Sequence, residues 1–362
     1  MASRTALAAQ LESFEAEDQT EPLPPPDIVA YNELRTCADL YRLFASGKLE
    51  IQPDFQREVV WRRDDQTRFV DSLVKRLPIP SMCFSFDYQS QRWQVIDGLQ
   101  RMTSIINLLS DSPWVLSDLA DINPALRSKT NLELRTVCLG ADNVVSLVED
   151  VSIPITVIRC DYTKSTHLRY LFTIFHRLNS GGVRLNNQEI RNCIYTGPFN
   201  ATLKEFDRQN ADWSVLKGRI WGGVRRFRSV EILLRLLAFS DNLKSYDGNL
   251  ARFLNDYMHS RMFEDEKKLG ELTTTLAEVA RIGRIAMGGS WWKIPVSQFE
   301  GVLVGINANR KVLKTVPDKR IQSAFKNLQD QPSFVEAARY AVNSVENVRS
   351  RVREATRAFA NA

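Results

Sequence analysis

Four short segments of this 362-residue chain place charged and amide side chains where they could bind an anion. The sharpest is residues 95–101, which read Val-Ile-Asp-Gly-Leu-Gln-Arg. This segment stands where an apolar strand pattern ends and a helical pattern begins. Backbone N–H groups and the positive end of the helix dipole would therefore face a phosphate beside Arg101. Asp97 could hold a metal ion or orient a water molecule. The alternative is a plain turn, because Asp-Gly is a common turn dipeptide.

The second segment contains Gln56 and Arg57, which follow Pro53. Proline fixes an extended or turn conformation, and the two side chains after it form a planar donor fork suited to phosphate or carboxylate. The alternative is surface packing, because an arginine near a tryptophan (here Trp61) is often no more than that.

The third segment is a corner between two predicted helices. Residues 179–182, Asn-Ser-Gly-Gly, should close the first helix, since glycine accepts the left-handed conformation of a C-cap. Asn186 and Glu189 then form an N-cap and N3 pair that opens the second helix. Capping explains these residues fully. It leaves unexplained the three arginines around them, which are Arg177, Arg184 and Arg191.

The fourth segment is a basic stretch that alternates with aromatic residues and glycines, and no acid follows it before Glu231. Cations interleaved with aromatic faces suit phosphate backbones and splayed bases. A run of charge is also typical of a solvated face. The candidate nucleic-acid ligands in this stretch are Lys217, Arg219, Arg225, Arg226 and Arg228.

The sequence lacks the motifs of several other kinds of site. The five cysteines are scattered and never form a C-x-x-C pair, so they indicate reduced thiols rather than a zinc site or disulfides. No phosphate-binding loop, dinucleotide fingerprint or H-E-x-x-H motif occurs. The nearest approach to a metal-dependent nuclease cluster is Asp121 with Glu133 and Arg135, and it is a poor one.

Composition and charge set broader limits. A chain with 44% hydrophobic and 25% charged residues is expected to fold as a globular protein. The 48 basic and 43 acidic residues give a net charge of +5, which is too small to identify a nucleic-acid binder by itself. No run is apolar enough to cross a bilayer and no signal peptide is recognisable, so we expect a cytoplasmic protein with no membrane partner.

Apolar spacing places these segments on predicted elements. Thr36 should cap a helix that ends at Gly47, strands are expected at 82–88, 93–96 and 153–159, and a helix at 101–109. Beyond residue 199 only helical patterns follow, at 201–208, 230–239, 250–263, 269–286, 296–304 and 334–357. The predicted domains are an acidic, proline-rich flexible tail (1–28), an α/β domain (29–198) and a helical domain (199–362).

In their order along the chain, these motifs resemble one family. Pro53-Asp-Phe-Gln-Arg57, Val95-Ile-Asp-Gly-Leu-Gln-Arg101 and Phe175-His-Arg-Leu-Asn-Ser-Gly-Gly182 with Asn187-Gln-Glu-Ile-Arg191 are similar to the N-terminal domain of GmrSD-type, modification-dependent restriction endonucleases. The resemblance covers about residues 34–200. It implies an α+β fold with a small ParB/sulfiredoxin-like mixed core, followed by an all-helical C-terminal region. The family pattern Asp-Gly-Gln-Gln-Arg is matched except that Leu99 replaces the first Gln.

The resemblance implies binding, and with it hydrolysis, of a nucleoside triphosphate with Mg²⁺. Arg57 and Arg101 would contact phosphates, Asp97 would serve the metal or a water, and Asn179 with Glu189 would complete the pocket. The implied catalytic residues are Asp97, Gln100 and Arg101, and Asp97 is the implied metal ligand. The implied nucleotide-binding residues are Gln56, Arg57, Gly98, Asn179, Gly181, Gly182 and Glu189.

Full members of that family carry a separate C-terminal His-Me-finger nuclease domain, and no His…Asn signature for one is found here. The resemblance therefore implies a nucleotide-dependent sensor or regulator of a prokaryotic, DNA-targeting anti-invader system. A partner nuclease in trans would then cut the DNA, and the oligomeric state stays open. The alternative is a non-catalytic, ParB-like nucleic-acid-binding module. Thiol redox chemistry is least favoured, because Cys83 lies within a predicted strand.

Overall fold

The computed structural model describes residues 24–51, 61–178, 185–220, 227–288 and 293–362. Internal contacts divide the chain into two compact units, Pro22–Leu185 and Asn186–Ala362. We call them the N-terminal unit and the C-terminal unit. The first contains a mixed sheet and short helices, and the second is helical, so the fold is α+β as the sequence predicted. The division falls after Leu185, whereas the sequence placed it after residue 198. The predicted tail lies outside the described residues as far as residue 23.

The described part of the N-terminal unit forms seven strands and six α-helices. They are β1 Val29–Thr36, α1 Cys37–Ala45, β2 Leu49–Glu50, α2 Arg63–Val74, β3 Met82–Asp87, β4 Arg92–Asp97, α3 Leu99–Leu109, α4 Asn131–Leu134, β5 Cys138–Leu139, β6 Asp142–Asn143, α5 Val144–Glu149, β7 Ser152–Cys160 and α6 Ser165–Leu178. Five strands make a mixed sheet in the order β1-β7-β3-β4-β2. The β7–β3 and β4–β2 pairs are parallel and the other two pairs are antiparallel.

The two faces of this sheet differ in polarity. On one face Phe84 pairs in register with Val157 and Val95, and these buried side chains join a core with α1, α2 and α3. On the other face the Tyr162 hydroxyl bonds to Ser85 Oγ and donates to Gln94 Oε1 at 3.0 Å. Strands β3 and β4 are therefore held from both sides, which fixes the position at which β4 ends.

Local signals in the sequence identified most of these elements. Thr36 Oγ1 accepts a hydrogen bond from the Asp39 amide at 3.1 Å and caps α1, and Gly47 follows its end with a φ of +70°. The three predicted strands are confirmed as β3, β4 and β7. Helix α3 begins two residues earlier than predicted, at Leu99. Strand β1 was missed, because most of its side chains are exposed and no buried alternation marks it.

A buried histidine attaches the segment before β1 to helix α6. The backbone N–H of Asp161 donates to His167 Nδ1 at 3.0 Å, so His167 Nε2 faces Asp27 Oδ1, 2.9 Å away, as a donor. Lys164 binds the other oxygen of Asp27. Hydrogen bonds from Lys164 and His167 lower the pKa of Asp27 to about 2. We call this contact the Asp27 latch.

The described part of the C-terminal unit contains ten α-helices. They are α7 Asn187–Ile194, α8 Pro198–Gln209, α9 Ala211–Lys217, α10 Arg228–Asn242, α11 Leu250–Arg261, α12 Glu266–Ala286, α13 Val296–Leu313, α14 Asp318–Gln329, α15 Pro332–Glu336 and α16 Val345–Ala360. The prediction of a single helix at 334–357 is wrong. Two helices replace it, and Ala341, between them, has a φ of +43°, which a helix cannot accommodate. Helices α9 and α14 were missed.

Two glycines one turn apart let helices α13 and α16 approach closely. A Cβ atom at Gly305 would lie 2.6 Å from the backbone carbon of Ala355 and 2.8 Å from its Cβ. A Cβ atom at Gly301 would lie 3.3 Å from the Cβ of Arg351. The contact therefore depends on bare backbone at position 305, where the neighbouring backbone cannot move aside.

We expect Gly305→Val to lower the free energy of unfolding by about 1 to 3 kcal/mol, because the new side chain overlaps Ala355 and forces the helices apart. Gly270 in α12 is the matched control, since a Cβ there meets nothing within 4 Å. Gly270→Ala should instead stabilise by about 0.5 to 1 kcal/mol through its helix propensity. Urea unfolding followed by circular dichroism measures both. Equal effects of the two changes would contradict the close contact.

Five buried, ionised side chains connect α7, α10, α13 and α16 in an alternating series. We call this series the buried ion network: Arg191, Glu231, Arg235, Glu300 and Arg351. Each carboxylate lies between two guanidiniums, at N–O distances of 2.5 to 3.1 Å. Burial raises the pKa of Glu231, but Arg235 and Arg191 together hold it below its ordinary value. The network gives Arg191, one of the arginines that capping left unexplained, a structural partner.

Candidate functional site

The junction between β4 and α3 is built around Gly98. This glycine has a φ of +95°, and a Cβ atom on it would lie 2.5 Å from Cγ of Met82. Both the left-handed backbone and the contact with β3 exclude a side chain. Asp97, immediately before it, pairs with Cys83 across a register shift between β3 and β4. The chain can therefore turn from strand to helix within one residue, which places Asp97 beside the first turn of α3.

Arg101 holds this junction together. Its Nη2 donates to Asp97 Oδ2 at 2.9 Å, and its Nη1 donates to the carbonyl oxygens of Pro80 and Ser81. The Arg101 side chain is only 14% exposed, whereas that of Asp97 is 39% exposed. The guanidinium thus faces inward to protein oxygens and the carboxylate is the more accessible group. The predicted contact of Arg101 with a phosphate stays a prediction.

Gln100 has an anchoring contact in the same turn. Its Oε1 accepts a hydrogen bond from the backbone N–H of Trp61 at 3.1 Å. The Trp61 ring packs edge-on against Phe69 of α2, with ring centroids 5.7 Å apart. Trp61 directly follows the segment that carries Gln56 and Arg57. Gln100 therefore holds the backbone of Trp61, the first described residue after that segment.

The other predicted nucleotide-binding residues cannot be placed at this junction. Gln56, Arg57, Asn179, Gly181 and Gly182 lie outside the described residues. Glu189 lies in the C-terminal unit, where the predicted N-cap is confirmed as a capping box: Asn186 Oδ1 accepts from the Glu189 amide, and the Glu189 carboxylate accepts from the Asn186 amide at 2.7 Å. Asp97, Gly98, Gln100 and Arg101 are the predicted residues that the described fold brings together.

The described part of the basic stretch is tied into the C-terminal unit. Lys217 ends α9, where its ammonium group lies 3.4 Å from Asp207 Oδ1 and donates to the Asp207 carbonyl at 2.8 Å. The carbonyl of Arg219 accepts from the Ile294 amide, and Arg228 begins α10. Arg225 and Arg226 lie outside the described residues. Their role in nucleic-acid binding stays a prediction.

Cys83 is a poor candidate for redox chemistry. Burial, reinforced by the nearby charge of Asp97, raises the pKa of the Cys83 thiol to about 12. The reactive thiolate is therefore scarce at neutral pH.

The two acids considered for a nuclease cluster each make a separate structural contact. Asp121 binds Arg68 at 2.8 Å, and Glu133 caps α4 through Thr130. Across the described ranges, no three His, Cys, Asp or Glu side chains come together as metal ligands, and no helix is long and apolar enough to span a membrane.

Fold and junction together define the chain as a mixed α/β unit followed by a helical one, with an Asp-Gly-x-Gln-Arg turn between strand and helix. Residues 40–196 match the family model of the GmrSD restriction endonuclease N-terminal domain, so this segment is similar to that family. The match runs from α1 through α7. Neither the curated proteins nor the solved structures include a significant match to this chain. This match indicates a role related to a restriction system.

Proposed function

We propose that the β4–α3 junction binds a nucleoside triphosphate with Mg²⁺ and hydrolyses it, and that this reaction regulates a DNA-targeting restriction system. The observation that carries the proposal is the arrangement of Asp97 and Arg101. An accessible carboxylate is held at a strand end by a guanidinium that is itself fixed by two backbone carbonyls. An exposed carboxylate beside a helix N-terminus suits a phosphate that arrives with Mg²⁺, because the ion would bind the carboxylate while the first-turn amides face the phosphate.

The residues at the junction fit a magnesium ion that arrives with its nucleotide. Mg²⁺ usually takes one or two protein carboxylates and completes its shell with phosphate oxygens and water. Arg101 binds only Oδ2 of Asp97, so within the described residues Oδ1 remains available to a cation. When bound, the ion would neutralise charge on the phosphates that develops during transfer.

The protein groups would then divide the work. Asp97 would bind the ion or orient the attacking water, and Arg101 would hold Asp97 in place. The first-turn amides of α3 would face the phosphates. Gln100 would position the segment before Trp61, in which Arg57 is the proposed phosphate ligand.

The purified chain should bind at least one of ATP, GTP, CTP and UTP in titration calorimetry, and should release phosphate only when Mg²⁺ is present. EDTA supplies the control for the metal. Lack of heat with all four nucleotides, at concentrations that saturate ordinary NTPases, would contradict the proposed site.

DNA is the proposed macromolecular target, and the basic stretch from Lys217 to Arg228 is its first proposed contact. If this contact exists, replacing Arg225 and Arg226 by glutamine should weaken duplex binding and flatten its dependence on salt by about one unit of slope per lost phosphate contact. A gel shift of the double variant beside the wild-type chain decides whether Arg225 and Arg226 take part.

A further inference from the structure

The net positive charge of this protein comes from the last part of the sequence. Residues 310–362 contain 11 basic and 5 acidic residues, a net +6. The whole chain has 48 basic and 43 acidic residues, so residues 1–309 contain 37 and 38, a net −1. The last helices of the C-terminal unit thus account for the entire excess. A polyanion would be attracted to this part of the molecule rather than to its whole surface.

Helix α16 displays part of this charge in an ordered row. Arg349, Arg353 and Arg357 are all exposed and recur at every fourth residue. Positions four apart in an α-helix lie on one face and rise by about 6 Å each. The three guanidiniums therefore form a stripe along one side of α16, and we call it the arginine stripe.

The inner face of α16 holds the stripe rigidly. Val348, Ala355 and Phe359 are buried, and Ala355 lies against Gly305 of α13. Arg351, on the same inner face, joins the buried ion network through Glu300. A helix fixed by close packing and by a buried ion pair presents its outer side chains from a defined surface, which favours recognition of a regularly spaced ligand.

The stripe is distinct from other basic side chains nearby. Arg310 and Lys314 both lie against Glu278, at 3.6 and 2.5 Å, so one carboxylate partly compensates them. Arg353 contacts Glu354 at 3.2 Å while its side chain stays 69% exposed. In the part of the chain that the structure describes, neither Arg349 nor Arg357 has a carboxylate within ion-pair distance.

We infer that the arginine stripe of α16 is a contact surface for the phosphate backbone of duplex DNA. The inference rests on the proposed function for its choice of DNA as the polyanion. Three arginines in a row supply charge-assisted hydrogen bonds to phosphates and carry no sequence preference of their own. The stripe would therefore fix the position of the C-terminal unit on DNA and would leave the reading of sequence or modification to other groups.

The test is fluorescence anisotropy of a labelled duplex with the full chain, at salt concentrations from about 50 to 200 mM. The stripe variant combines Arg349→Gln, Arg353→Gln and Arg357→Gln. The control variant combines Lys267→Gln, Arg281→Gln and Arg284→Gln, which are exposed residues of α12, so both variants lose three charges. Circular dichroism establishes that both are folded.

We expect the stripe variant to bind more weakly at low salt and to flatten the slope of log Kobs against log salt by about 3, one for each phosphate contact. The control variant should stay close to the wild type. A stripe variant with the affinity and slope of the wild type would overturn the inference alone. So would an equal loss in both variants, because net charge rather than position would then explain it.

Two further outcomes separate the alternatives. If the wild-type chain binds no duplex even at low salt, the proposed DNA target fails together with the stripe. If the stripe variant keeps its affinity for the duplex but loses affinity for poly-glutamate, the stripe faces an acidic protein and the inference is overturned.

Discussion

Glu300→Ala is expected to lower the free energy of unfolding by about 3 to 5 kcal/mol, because, among the described residues, it leaves buried Arg351 without a carboxylate and leaves Arg235 paired with Glu231 alone. Glu300 Oε2 lies 3.1 Å from Arg235 Nη1, and its Oε1 lies 2.5 Å from Arg351 Nη2. All three side chains are at most 3% exposed, so bulk water does not solvate these charges. Much of the expected loss is the cost of leaving buried positive charge uncompensated, in addition to the two ion pairs that are removed.

Urea unfolding followed by circular dichroism measures this loss. Glu300→Gln keeps the shape of the side chain and isolates the contribution of its charge. Glu336→Ala removes an exposed glutamate from α15 and should change stability by no more than about 0.5 kcal/mol. If Glu300→Ala resembles Glu336→Ala, the buried ion network does not stabilise the C-terminal unit.

Asp97→Asn is expected to reduce Mg²⁺-dependent phosphate release by at least about 100-fold while leaving the fold intact. The amide oxygen can still accept the hydrogen bond from Arg101, so the junction keeps its shape. What disappears is the negative charge that would hold the ion or orient the water. Because the Asp97 side chain is 39% exposed, its ion pair with Arg101 contributes no more than about 1 kcal/mol to stability.

Phosphate release and thermal unfolding of the same preparations separate the two roles. Asp111→Asn is the control, since Asp111 pairs with Arg135 in the same unit and its side chain is 91% exposed. Normal turnover in Asp97→Asn would remove Asp97 from the catalytic set. A large loss of stability with little effect on turnover would show that the Asp97–Arg101 ion pair has a structural role only.

The sequence predicted those parts of the fold that depend on neighbours in the chain. Thr36 caps α1 and Asn186 with Glu189 caps α7, because a capping bond spans three residues and leaves its mark in the local order of side chains. Strand β1 has no recognisable pattern in the sequence, because its side chains are mostly exposed and do not alternate between solvent and core. Helix α14 does have a recognisable pattern, and this pattern could have identified it: the helical spacing of Ile321, Ala324, Phe325 and Leu328.

The sequence predicted that Asp97, Gly98, Gln100 and Arg101 lie at one strand–helix junction, but it did not predict the contacts that they make there. Asp97, Gly98, Gln100 and Arg101 are consecutive enough for one strand–helix turn to bring them together. The partners of Arg101 are backbone carbonyls at positions 80 and 81, and those of Arg191 include Glu231, forty residues away. Such pairings are set by tertiary packing, so local patterns contain no information about them. The inward orientation of Arg101 follows from these distant contacts.

The Asp27 latch has a consequence for how the N-terminal unit responds to acidity. A carboxyl group whose pKa falls from 3.8 to about 2 on folding contributes stability above pH 4, and this contribution is lost only as the pH drops from about 4 to about 2. Asp27 is therefore ionised at physiological pH. Protonation of Asp27 therefore does not weaken the attachment of the leading segment to α6 at physiological pH.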